Sequence, residues 1–163
     1  AMIELEADPS FLKDFLAATE ATETGDYEAG IRALANMKLA IPAEQRTALL
    51  AAYRALRSGN SAMKLEAANA LTALPDDQQN YVVVRAIAAL GMSREALRMY
   101  VKKANARYDW PSLLWHSSMR PVLNEPAFPT VAERLGLMTY WRRTRTRPHV
   151  CAGNHPAPFC RMI

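Results

Sequence analysis

The side chains with the greatest chemical reach in this sequence sit near its carboxyl end. His149, Cys151, His155 and Cys160 lie close together there. Two thiolates and two imidazoles make a ligand set for tetrahedral zinc, but the tight spacing of one, three and four intervening residues matches no familiar finger. The same cysteines, with Pro156 and Pro158 between them, are able to close a short disulfide loop in an oxidising compartment. In a cytoplasmic protein they remain free thiols. The three readings stay open, and no metal or cofactor is expected.

Catalytic groups are sparse elsewhere. There is no glycine-rich loop to cradle a phosphate. Asp76-Asp77 reads as a helix start and His116 is a lone histidine in a tryptophan-rich stretch. No Ser, His and Asp set stands in a recognisable context. The chain is therefore expected to be no enzyme, and no residue is assigned a catalytic role.

Charge narrows the partners. The formal net charge is +4, yet Arg142, Arg143, Arg145, Arg147 and Arg161 follow the last acidic residue, Glu133. Those five arginines leave residues 1–141 at −1. A nearly neutral body with a basic tail is not the footprint of a nucleic-acid-binding fold. The arginine run reads as a solvated face, or as partners for Glu125 and Glu133 at a helix end. The longest apolar stretch, Tyr81 to Met92, contains Arg85 and is too short to span a bilayer, so no membrane insertion is expected. A cytoplasmic location is expected, or a periplasmic one if a transmembrane segment lies upstream.

The elements that position these groups are helical. Apolar residues make up 50% of the chain, Gly is scarce at six, and Ala and Leu are abundant, a balance that favours helix over sheet. Pro9, Pro42 and Pro75 recur every 33 residues, with Pro111 following. Gly25, Gly59 and Gly91 interleave with them. Proline opens a helix and glycine supplies the left-handed turn that ends one, so the alternation predicts antiparallel helix pairs. Phe11, Phe15 and Ala18 keep helical apolar spacing, as do Leu49, Tyr53 and Leu56, and Val83, Ile87 and Leu90. Helices are predicted near 10–22, 26–40, 43–57, 61–73, 77–90 and 93–106, with Asp8, Asp76 and Ser93 as caps. After Trp110 the prolines chop the chain, and short helices are predicted near 111–116, 118–124, 127–136 and 138–144.

This periodic part resembles the tetratricopeptide repeat family. Gly25-Asp26-Tyr27-Glu28-Ala29 through Pro42 is similar to the second helix of such a repeat, and Gly59 to Pro75 and Gly91 to Pro111 resemble further copies. Ala17 and Ala18, then Ala51 and Ala52, stand where the family places small residues; the third copy has Val83 and Val84. The resemblance implies an all-α fold, an α/α superhelix (a solenoid of antiparallel helix pairs) with an irregular helical cap at its carboxyl end. Residues 1–110 would be the repeats, 111–145 the cap, and 146–163 a tail containing Pro and Cys. Met2 to Pro9 resembles the end of a repeat whose start is missing, which suggests a piece of a longer protein.

The cap carries the sharper resemblance. Trp115, Met119-Arg120, Asn124-Glu125-Pro126-Ala127-Phe128, Arg134-Leu135-Gly136-Leu137 and Tyr140-Trp141 resemble the ending of a bacterial group. In that group such repeats follow a winged-helix domain, a nucleotide-cyclase domain or a TolB-like module. Pro148-His149-Val150-Cys151 and Phe159-Cys160 resemble its closing motif, from which His149 and Val150 depart. The resemblance implies a regulatory interaction module in a transcriptional regulator or signalling protein. Its partner would be a protein, a peptide, another domain of the same protein or a second copy of itself. The family's groove maps here onto Phe15, Thr19, Arg46, Leu49, Tyr53, Gln78, Tyr81 and Arg85, whose aromatics and arginines suit binding anchors. Leu49, Tyr53 and Tyr81 suit a core equally well. The alternatives are a small-ligand sensor, with a pocket between the last repeat and the tryptophan-rich cap, and the regulatory arm of a cyclase.

Overall fold

The computed structural model describes residues 9–37, 41–104, 111–152 and 156–163, and these are all-helical, with no strand among them. The order is α1 (Pro9–Thr24), α2 (Tyr27–Asn36), α3 (Ala43–Ser58), α4 (Ser61–Thr72), α5 (Tyr81–Ala89) and α6 (Ser93–Ala104), then α7 (Phe128–Arg134) and α8 (Leu137–Thr144). Between α6 and α7 lie two 3-10 helices, Pro111–Trp115 and Ser117–Asn124. The expected cap Asp8, Trp110, and the expected helix ends near 38–40 and 105–106 lie outside the described residues.

Local chemistry explains the boundaries. Gly59 ends α3 at φ 71°, and Gly25 and Gly91 also have positive φ, so each pair turns on a residue that reaches the left-handed region without strain. Asp26 accepts a hydrogen bond from the Ala29 amide and caps α2; Asn60 does the same for α4 through the Met63 amide. α5 corrects two expectations. Asp76 heads a separate 3-10 turn, Asp76–Gln78, and its carboxylate accepts from Lys102 Nζ at 2.6 Å. The cap of α5 is Asn80, whose Oδ1 accepts from the amides of Val82 and Val83, so the helix starts four residues later than predicted. Ser93 is the first residue of α6 and not the residue before it. The segment 117–124 winds as 3-10 helix around Pro121, which has no amide hydrogen to donate.

The helices pack as consecutive pairs, α1 on α2, α3 on α4 and α5 on α6, with α2 on α3. Gly30 lets three helices meet: a Cβ there would lie 2.6 Å from Ala21 Cβ and 2.7 Å from the Tyr53 ring. The odd-numbered helices also meet one another. The Tyr53 hydroxyl of α3 donates to the Ala18 carbonyl of α1 at 2.5 Å, and Phe15 of α1 sets its ring edge-on to Tyr81 of α5 at 5.8 Å. One apolar core runs from Ala18 through Leu71, Ile87 and Met119 to Phe128, Trp141 and Phe159. The tail belongs to it: Phe159 is buried between Phe128 at 4.9 Å and Trp141 at 5.5 Å.

Candidate functional site

The inner face of the odd-numbered helices is covered in part by its own side chains. Leu49, Tyr53 and Arg85 are 2%, 0% and 2% exposed, so these three do not line an open groove. Phe15, Thr19, Arg46, Gln78 and Tyr81 are half-buried. The cause is the direct approach of α1 to α5, which closes the space that wider separation would leave open. Burial pushes the Tyr53 phenol well above its ordinary range, so it stays a hydrogen-bond donor to Ala18.

A polar knot seals this closure. Arg85 donates from Nη2 to Glu23 Oε1 at 2.8 Å, joining α5 to α1. The same carboxylate accepts from the Ser117 amide at 2.7 Å, the Ser117 hydroxyl at 2.6 Å and the Ser118 hydroxyl at 3.0 Å. His116 Nδ1 lies 3.5 Å away. Burial alone would raise the Glu23 pKa, but the two Ser117 bonds, Arg85 and Ser118 outweigh it and hold the group below its usual range. The His116 pKa is pushed down by burial and by Arg85, against the pull of Glu23, which disfavours the protonated imidazole. The knot therefore ties the start of the cap to α1 and α5. Its geometry is structural: Arg85 Nη2, Ser117 and Ser118 converge on one carboxylate, and Arg85 is sealed from solvent.

Open surfaces remain among the described residues. One hollow, of about 570 Å³, lies between α6 and α7. Leu97, Val101, Pro126 and Val131 form its apolar floor, and Arg94, Arg98 and Arg134 stand at its edge with Glu125. Leu97 and Val131 are buried, so the floor is fixed by the core. Arg94 reaches Glu125 at 3.8 Å, and Arg98 pairs with Glu95 one turn away. This is where a pocket between the last helix pair and the cap was expected, but no tryptophan among the described residues lines it. The sequence signal was present: Arg94 and Arg98 flank Leu97 and Val101 at helical spacing, on one face of α6.

Trp115 and Trp141 line a different cleft, which runs from residues 114–124 to the tail segment 148–152. Another hollow, about 480 Å³ between α3 and α4, is floored by alanines, and Glu44 and Thr47 are the polar side chains that line it among the described residues. No helix among the described residues is long and apolar enough to cross a membrane.

Cys151 and Cys160 are joined in a disulfide, Cα to Cα 5.5 Å, so neither sulfur is a free thiol or a zinc ligand. Among the described residues no cluster of His, Cys, Asp and Glu is arranged to hold a metal; His155 lies outside them. In the arginine run, Arg142 approaches Glu133 at 3.3 Å and donates to the Met162 carbonyl, while Glu125 turns to Arg94 instead. The chain matches no family model, no curated protein and no solved structure.

Proposed function

We propose that this chain is a tetratricopeptide-like, non-catalytic interaction module of a bacterial regulatory protein, and that it binds its partner between α6 and α7. The partner segment is an amphipathic helix with acidic residues, from another protein or from a neighbouring domain of the same one. The observation that carries the reading is the α6–α7 groove: a fixed apolar floor under three arginines and a single glutamate. Such a site buries the apolar stripe of a helix and pairs its flanking carboxylates. It replaces the inner-face groove as the binding surface, because Leu49, Tyr53 and Arg85 are covered. The helix pairs stand in the order a repeat solenoid requires, which supports the family reading. The Cys151–Cys160 disulfide favours an oxidising compartment, such as the periplasm, over the cytoplasm.

The test is fluorescence anisotropy with a labelled peptide that carries leucines at helical spacing and glutamates elsewhere. It should bind, and the same peptide with lysines for glutamates should not. Arg98→Glu combined with Arg134→Glu, both at exposed positions, should abolish binding without loss of helix. Equal binding of both peptides, or no effect of charge reversal, would defeat the reading.

A further inference from the structure

Two adjoining hollows run between the cap and the tail, of about 440 and 340 Å³. Both touch Arg120, Leu123, His149 and Val150, so they form one cleft. Its size is that of a small-molecule site. It shares no lining residue with the α6–α7 groove.

The walls are held from behind. Trp141 is 5% exposed and stacks on the buried Phe159. Trp115 meets Trp141 edge-on at 6.0 Å, yet is 43% exposed and so offers indole surface to the cleft. The opposite wall, His149 to Cys151, is a short 3-10 turn fastened to Cys160 by the disulfide. Leu114 and Leu123 are buried and give an apolar floor.

Among the described residues the charged lining has one sign. Arg120 is exposed and has no carboxylate partner there, and no acidic side chain among those residues lines either hollow. His149 and Asn124 add donors beside it. A guanidinium prefers a planar anion that takes two parallel hydrogen bonds. An indole face and an aliphatic floor prefer a flat apolar body.

We propose that this cleft is a binding site for small aromatic carboxylates, with the carboxylate on Arg120 and the ring against Trp115. The site is separate from the partner groove and does not depend on that reading. It would let a metabolite occupy the cap while the groove holds its partner.

Titration calorimetry and tryptophan emission with sodium 2-naphthoate test it, with 2-naphthamide as the uncharged analogue. Naphthoate should bind saturably and shift the tryptophan emission. The amide should bind at least about tenfold more weakly, the loss expected for one charge-assisted pair. Arg120→Gln should lose the preference for the acid by a similar factor, while Arg98→Gln, in the other groove, should bind naphthoate as the unaltered chain does. The proposal is overturned by absent saturable binding, by equal affinity for acid and amide, or by a loss that follows Arg98 and not Arg120. Should Arg120→Gln lose its helical circular dichroism, the acid and amide comparison on the unaltered chain decides.

Discussion

Replacing Glu23 by Gln removes the charge that faces a sealed guanidinium and turns one of its two acceptor oxygens into a donor. Arg85 is 2% exposed, its Nε has no partner, and its Nη2 bond to Glu23 is its only described ion pair. Breaking a buried pair by removing one partner costs about 3–5 kcal/mol. Glu23 retains 23% of its side-chain exposure, so water partly compensates, and the Gln carbonyl still accepts from Ser117. A loss of about 2–4 kcal/mol at pH 7 follows. With an m-value of about 2 kcal/mol/M, the urea midpoint should fall by about 1–2 M. The pH dependence has a definite sign. Glu23 is held below its ordinary 4.5, so its contribution is complete above that value and disappears as pH falls through the folded-state pKa. The gap between the two proteins should therefore narrow in acid. A midpoint unchanged at pH 7, or a gap that persists undiminished after Glu23 has protonated, would refute the assignment of Glu23 as the counter-charge of Arg85.

Other substitutions probe other links. Gly30→Ala gains helix propensity, but its methyl meets Ala21 and the Tyr53 ring, so urea unfolding should show a net loss of about 1–3 kcal/mol. Replacing Cys151 and Cys160 together by serine releases a loop of sequence separation 9. That should cost about 2.5 kcal/mol and move tryptophan emission to the red as Phe159 loosens from Trp141. Asn80→Ala should destabilise the chain by about 1 kcal/mol through loss of the α5 cap, more than Asp76→Asn does.

Much of the secondary structure was legible because its signals are local. A proline opens a helix and a glycine closes one within a few residues, and α1, α3 and α4 fall within two residues of their predicted bounds. α5 was misplaced because Asp76 and Asn80 both make good caps, and the sequence does not say that Pro75 leads into a 3-10 turn first. At the inner face the sequence left a choice open. Leu49 and Tyr53 suit a groove anchor and a core residue alike, and the packing of α1, α3 and α5 covers both; Arg85, read as an anchor alone, is covered with them. Glu23 and Arg85 are separated by 62 residues and Glu23 and Ser117 by 94, with no periodic pattern to pair them. The cysteines were legible as a pair, but their bonding state was not.

The location of partner binding is the central claim, and hydrogen–deuterium exchange on the complex with the acidic amphipathic peptide tests it most directly. Protection should concentrate in Arg94 to Val101 and Glu125 to Arg134, with α1 and α3 unchanged. Protection centred on α1 and α3, with α6 and α7 exchanging as in the free chain, would contradict it and return the binding surface to the inner face.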